Sequence, residues 1–217
     1  MLLKKILKTS FLIILVNSVL ACSHNNDKAQ NNSQVRYEQK KDISAEDRRL
    51  IEEYNHIIED LVNGDENKYQ QELKLFLPKA SQIKDSIERN NILMNIYMQT
   101  KQYKNAYKLN DVQIQEDPTA NRLAFRCQIL ELLNKEQSVI KQCYEVSAKA
   151  IKVELEQIQK NDPMYNYAEF TYYLEMYRAG HTEYKEKMRQ ALSSIKDESM
   201  KMNANIWYED AVSRVSN

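Results

Sequence analysis

The chain has 217 residues, of which 42% are hydrophobic and 29% charged, a composition typical of a folded protein rather than a disordered one. Its 2 glycines and 3 prolines are too few for the frequent turns of a β-sandwich or barrel, and they exclude a glycine-rich phosphate loop. The 31 basic and 31 acidic residues balance, which gives no indication of nucleic-acid binding. These counts favour a mostly helical domain with short connections.

The first 21 residues have the organisation of an export signal. Three lysines lie near the start, and an uncharged apolar run then continues as far as Cys22. This run has about 13 residues, whereas a helix that crosses the hydrocarbon core of a membrane needs roughly 20. The run ends in Val19-Leu20-Ala21-Cys22, which resembles the lipobox of bacterial lipoproteins.

The resemblance implies cleavage before Cys22, a diacylglycerol thioether on its sulfur, and an acyl chain, traceable with labelled palmitate, on the new N-terminus. Ser23 follows where the family's inner-membrane retention signal is usually Asp, which favours the outer membrane, facing the periplasm. The alternative is an ordinary secreted protein in which Cys22 is coincidental. Removal of residues 1–21 takes three lysines from the 31 basic residues and none of the 31 acidic ones, and the resulting charge of −3 argues against a nucleic-acid partner.

Residues 23–43 are rich in Asn, Gln and Lys and bury too little apolar surface to offset the entropy lost on ordering. We therefore expect three parts. Residues 1–21 are the signal peptide, residues 22–43 are the acylated Cys and a flexible tether with a reach of roughly 25 Å, and residues 44–217 are a helical domain.

Nine helices are predicted from Ser44 onward. Ser44 and Asp47 form an approximate capping box at the start of the first, which ends at Asn63-Gly64. The second helix ends at Pro78, and the third covers about residues 80–100. The remaining six are expected at 103–116, 119–133, 136–160, 163–178, 182–195 and 198–214.

Breaks at 63–64, 101–102, 134–135 and 180 would fold neighbouring helices into hairpins. They recur at intervals of roughly 33 to 45 residues, near the period of helical-hairpin repeats. Residues 90–118 resemble the tetratricopeptide (TPR) pattern W-x₂-L-G-x₂-Y…A-x₃-F…P, with matches at Leu93, Tyr97, Ala106 and Pro118. The Trp, Gly and Phe of the pattern are replaced by Asn90, Met94 and Asn110.

The TPR-like resemblance implies an all-α fold. Antiparallel helical hairpins would stack as a short right-handed solenoid of about four pairs plus a C-terminal capping helix. An irregular helical bundle is the alternative.

Two further cysteines, Cys127 and Cys143, lie almost equally far from the predicted turn at Asn134-Lys135. In an antiparallel hairpin such residues face each other, and an exported protein meets an oxidising compartment. The sequence therefore predicts a disulfide. The alternative is a pair of buried, reduced thiols.

No catalytic or metal-binding motif is visible. His24, His56 and His181 are scattered, none has the spacing of metal ligands, and no serine or cysteine is framed as a nucleophile. We expect neither an enzyme, nor a cofactor, nor a metal site.

Two polar pairs are candidate binding residues. In a TPR-like stack the first helix of each hairpin lines a groove, which would place Asn91 and Asn95 there, with Arg122 and Arg126 one repeat later. Each pair is spaced i, i+4 and so shares one helix face. The resemblance to TPR domains that clamp a terminal carboxylate implies carboxylate binding by these side chains. A solvated polar face is the alternative.

The tyrosines form a second candidate site. The chain has 14 of them against 4 Phe and 1 Trp, and five lie in residues 165–177. Five cannot all face the core of one helix, so Tyr165 and Tyr172, beside Glu169, are expected to be partly exposed. Tyrosine is well suited to interfaces, although a stripe at this spacing also fits a core.

The sequence thus favours a lipid-anchored envelope protein that binds another envelope protein or a peptide without catalysis. The alternatives are a periplasmic immunity protein that neutralises a secreted toxin and, third, an enzyme of the cell envelope. The oligomeric state stays open.

Overall fold

The structure, a computed structural model, describes residues 43–63 and 66–215. The predicted signal peptide, Cys22, nearly all of the predicted tether and Gly64 lie outside these ranges. Within them the chain forms nine helices and no strand, so the fold is all-α. The helices are α1 (Ala45–Asn63), α2 (Glu66–Ala80), α3 (Ser86–Gln99), α4 (Tyr103–Glu116), α5 (Ala120–Leu132), α6 (Gln137–Leu155), α7 (Tyr165–Arg178), α8 (Tyr184–Ser194) and α9 (Glu198–Val215). None of these described helices has the length and apolarity needed to cross a lipid bilayer.

Most helix boundaries lie within two residues of the predicted ones, including the end of α2, and two boundaries differ by more. Helix α2 continues through Pro78 to Ala80. Helix α3 begins at Ser86 rather than near residue 80, because the Asp85 side chain caps it by accepting hydrogen bonds from the N–H groups of Ile87 and Glu88, each at 3.0 Å. Helix α6 ends at Leu155 rather than residue 160.

Three of the predicted breaks have the same backbone geometry. Lys101, Asn134 and Gly180 have positive φ values of 60°, 51° and 106°. In each turn the next residue donates its N–H to a carbonyl five residues back, from 102 to 97, 135 to 130 and 181 to 176. This is the Schellman motif, in which a left-handed residue ends a helix and satisfies its last carbonyls. The break predicted at 63–64 lies partly outside the described residues.

The chain divides into two compact units, residues 1–102 and 103–217. The TPR-like segment 90–118 contributes α3 to the first unit and α4 to the second. In the first unit α2 packs against both α1 and α3, around a core that includes Leu50, Tyr54, Leu73, Phe76 and Ile83.

Asp47 connects α1 to the loop before α3 in the first unit. Ser44 Oγ accepts a hydrogen bond from the Asp47 N–H at 3.0 Å, which is the predicted helix cap. The Asp47 carboxylate, only 2% exposed, accepts the N–H groups of Lys84 and Asp85, both at 3.0 Å. These backbone donors lower the pKa of Asp47. Asp47 thus holds the 81–85 connection to α1.

The second unit contains α4 to α9. Each helix from α4 to α8 packs against the next, and α9 packs against both α7 and α8. The core at its C-terminal end includes Phe170, Leu174, Met188, Ala191 and Ala204. Helix α7 therefore has neighbours α6, α8 and α9.

Candidate functional site

A disulfide joins the first hairpin of the second unit. The structure bonds Cys127 of α5 to Cys143 of α6, with their Cα atoms 5.5 Å apart. This is the pairing predicted from their positions on either side of the turn. Cys127 is fully buried against Ile140 and Tyr144. The bond therefore ties α5 to α6 inside the core.

The two candidate asparagines do not share an environment. Asn91 is exposed, whereas Asn95 is only 8% exposed among the apolar residues of α3. The i, i+4 spacing predicted one polar face for both, but the buried surface of α3 passes between them. No hydrogen-bond partner contacts Asn95 Oδ1 within the described residues.

Arg122 and Arg126 do share one face of α5, as predicted, but this face is turned to α4. Arg122 donates to the carbonyl oxygens of Gln113 at 2.9 Å and Asp117 at 2.7 Å, and it forms an ion pair with the Asp117 carboxylate at 3.0 Å. Its guanidinium therefore caps the C-terminal end of α4 rather than lining a groove.

Arg126 is also held by α4. It forms an ion pair with Asp111, and its guanidinium carbon lies 4.9 Å from the ring centroid of Tyr107. Asn110, the residue in place of the TPR phenylalanine, is completely buried and donates to the Arg122 carbonyl at 3.1 Å. Both arginines therefore have carboxylate partners within the chain, a role that helix periodicity alone did not predict.

Tyr165, Glu169 and Tyr172 lie together on the outer face of α7. At 100° per residue they lie on the side of the helix away from the buried Phe170 and Leu174, and the buried Tyr177 and Glu175 lie about a quarter-turn to either side. All three are partly exposed, as is Met176 on the same arc. The predicted grouping of these residues is therefore present in the structure. We call Tyr165, Glu169, Tyr172 and Met176 the α7 face.

Aromatic contacts fix one edge of the α7 face. The ring of Tyr172 lies 5.4 Å from Tyr173 and 5.9 Å, edge-on, from Tyr184 of α8. Tyr173 lies 5.8 Å from Tyr184 and donates its hydroxyl to Glu169 Oε1 at 3.2 Å. The Gly180 turn brings the first turn of α8 beside the end of α7. Tyr184 was not predicted as a member of this cluster, because the periodicity of α7 does not include side chains of α8.

The hydroxyls of Tyr172 and Tyr173 remain protonated at physiological pH. Burial, with a hydrogen bond to Tyr184, raises the pKa of Tyr172 to about 12. Burial and the nearby Glu169 carboxylate raise the pKa of Tyr173 to about 12. Lys187 Nζ lies 4.6 Å from the ring centroid of Tyr184. The Tyr172 and Tyr173 hydroxyls are thus neutral, and the Tyr184 ring already contacts a cation.

A buried ionic network joins α7 to α9 and α5. Arg178 Nη1 lies 3.3 Å from Glu175 Oε1, and Arg178 Nη2 lies 3.8 Å from Asp210 of α9. Arg214 continues the network to Asp210 at 2.9 Å and to Glu131 of α5 at 2.8 Å.

Burial raises the pKa of Glu175, and the adjacent Arg178 opposes this shift. A perturbed carboxyl can indicate catalysis when it lies in a cleft, but Glu175 is 1% exposed and enclosed by helices. Glu175 pairs with Arg178, and the Arg178 guanidinium in turn reaches Asp210 of α9.

The two described histidines, His56 and His181, contact acidic side chains. His56 is exposed and lies 3.3 Å from Glu59, while His181 lies 3.2 Å from Glu145 and 3.7 Å from Glu183. His24 falls outside the described ranges. Across residues 43–63 and 66–215, no three His, Cys, Asp or Glu side chains converge into a metal site.

No protein-family model matches the chain, and no curated protein or solved structure is significantly similar to it. The function therefore has to be inferred from the residues themselves.

Proposed function

We propose that this chain is a lipid-anchored bacterial envelope protein that binds another envelope protein or a peptide without catalysis. Acylated Cys22 would attach it to the outer membrane, and the tether would hold the helical domain in the periplasm. The α7 face would be the interface. The observation that carries this proposal is the composition of that face.

The outward face of a surface helix usually carries charged and polar residues, because it faces water. The α7 face carries two tyrosines, one methionine and a single carboxylate, and it has no lysine or arginine. Tyrosine and methionine are enriched at protein interfaces, where broad rings and a flexible thioether supply contact area. This composition suits a binding surface.

The face is also partly ordered before any partner arrives. Tyr172 is held by two neighbouring rings, and Glu169 by the Tyr173 hydroxyl. Side chains that are already ordered lose less entropy on association, so more of the contact energy contributes to affinity. Preorganisation of this kind supports binding rather than simple surface packing.

A TPR-like stack of hairpins forms part of the proposal. The three equivalent helix-ending turns at Lys101, Asn134 and Gly180 support a structural repeat. In such a stack α5 and α7 would be the first helices of successive hairpins, and these helices line the concave side. The α7 face would then belong to the groove.

Site-specific photo-crosslinking in intact cells tests the interface. We would place p-benzoylphenylalanine at Tyr172 in the full chain. A matched variant would carry it at Tyr103, a partly exposed tyrosine on α4. We expect a discrete crosslinked product from position 172 and none from position 103. Identical patterns from both positions would overturn the assignment of the interface.

Labelling with palmitate tests the anchor separately. The full chain should incorporate labelled palmitate, and Cys22→Ser should not. Equal labelling, or none in the unmodified chain, would refute lipidation at this residue.

A further inference from the structure

We infer that the α7 face recognises an arginine side chain presented by its partner. This inference rests on the proposed function, because it names the chemistry that the same interface would bind. The arginine would pair with the Glu169 carboxylate and lie over the ring of Tyr165. The template for this arrangement is present elsewhere in the chain.

The template is the site that holds Arg126. Tyr107 and Asp111 are four residues apart on α4, and Arg126 pairs with the carboxylate while lying 4.9 Å from the ring centroid. The i, i+4 spacing places ring and carboxylate on one helix face, about 5–6 Å apart at Cβ. One guanidinium can therefore contact both, through an ion pair and a cation–π interaction.

The same spacing occurs once more. Of the 14 tyrosines, only Tyr107 and Tyr165 are followed four residues later by an acidic residue. On α7 that residue is Glu169. Apart from the change of Asp to Glu, the two pairs differ in occupancy. The first is occupied by Arg126, whereas within the described part of the chain no lysine or arginine lies within ion-pair distance of Glu169.

The surroundings of Glu169 suit a cation from outside. Its carboxylate is partly exposed, and its one hydrogen bond within the described residues comes from Tyr173 through Oε1. Tyr165 lies one turn before it and Tyr172 one turn after it, so a ring flanks the carboxylate on each side. Aromatic faces attract cations, as Lys187 over Tyr184 illustrates in the same cluster.

Arginine fits this site better than lysine. Its planar guanidinium can stack on a ring while donating hydrogen bonds sideways to a carboxylate, which a compact ammonium group cannot do. We therefore expect the partner segment to expose an arginine.

A peptide titration tests the inference directly. The probe is acetyl-Gly-Gly-Arg-Gly-Gly-amide, and its counterpart carries citrulline, which has nearly the same shape without the charge. Binding to the full chain is followed by NMR of ring-labelled tyrosines, with the Tyr165 signal assigned from Tyr165→Phe. We expect the arginine peptide to shift this signal and to bind about tenfold more tightly than the citrulline peptide, since one ion pair and one cation–π contact are lost.

The variants isolate the carboxylate. Glu169→Gln should abolish the preference for arginine, whereas Glu169→Asp, which restores the residue type of the α4 template, should keep it. Glu116→Gln is the matched control, because Glu116 is an exposed glutamate preceded four residues earlier by Val112 rather than tyrosine. It should leave the preference unchanged.

Equal affinity for the two peptides, no shift with either, or an unchanged preference in Glu169→Gln would overturn the arginine inference. The crosslinking experiment has a separate outcome. A product at position 172 without arginine preference would leave the interface standing and remove only its proposed ligand chemistry.

Discussion

Reducing the Cys127–Cys143 disulfide should lower the free energy of unfolding of the second unit by about 3 kcal/mol. Reduction is a better perturbation than substitution, because both sulfur atoms stay in the protein. Cys127 is fully buried, so replacing it by alanine would also create a cavity. The comparison of oxidised and reduced forms of one chain therefore isolates the covalent bond.

The magnitude follows from the loop that the bond closes. The two cysteines are 16 residues apart in sequence. In the chain-entropy model, a loop of this length restricts the unfolded chain by about 10 cal/mol/K, which is about 3 kcal/mol at 25 °C. For a unit of this size, such a difference corresponds to a shift in melting temperature of roughly 10 °C.

The assay is urea denaturation of the full chain, followed by circular dichroism, with and without a phosphine reductant. Alkylation and peptide mass spectrometry report the state of both thiols in each sample. The double variant Cys127→Ala/Cys143→Ala is the control, and its unfolding should not respond to the reductant. Coincident curves for the verified oxidised and reduced forms, or alkylatable thiols in the non-reduced chain, would refute the reasoning.

Three further predictions concern stability. Arg178→Met should lower the free energy of unfolding, measured by urea denaturation, by about 3–5 kcal/mol, because it leaves the buried Glu175 carboxylate without its nearest cation. An unchanged denaturation midpoint would show that this ion pair does not stabilise the fold. Gly180→Ala should lower the free energy of unfolding by about 1 kcal/mol or more, because residue 180 has a φ of 106°, whereas Lys101→Gly should raise it by up to about 1 kcal/mol, because residue 101 has a φ of 60°. Thermal melts in which both substitutions change stability in the same direction would exclude backbone strain as the cause. The pKa of Asp47 is lowered in the folded chain, so its contribution is present above the ordinary carboxyl pKa and is lost as the pH falls through the folded value. Asp47→Asn should therefore melt at a lower temperature than the unmodified chain near pH 7, and this difference should shrink below pH 4. A difference in melting temperature that stays the same below pH 4 would show that the charge of Asp47 is irrelevant.

Helix positions were predictable because the relevant forces act between residues close in sequence. Hydrophobic spacing and local caps placed the nine helices. The predicted breaks at Asn134 and Gly180 coincide with left-handed residues that end a helix. The disulfide was predictable for the same reason, because Cys127 and Cys143 lie almost equally many residues from the hairpin turn and therefore face each other.

The candidate site was predictable only in part. The arc of Tyr165, Glu169 and Tyr172 follows from helix periodicity, because their exposure depends on which side of α7 is apolar. The partners of Arg122 and Arg126 did not follow, because periodicity defines a shared face but not which helix covers it.

The amino-acid sequence by itself determined the all-α class, the turns and the tyrosine face of α7, since these depend on neighbours within one or two helical turns. Tertiary structure alone decided that Asp47 binds the backbone N–H groups of Lys84 and Asp85, and that Tyr184 joins the α7 tyrosines. It also paired Arg126 with Asp111 and left Glu169 without a basic partner among the described residues. The physical reason is that a charged side chain takes whichever opposite charge packing brings within reach, and that choice is made between helices rather than along one.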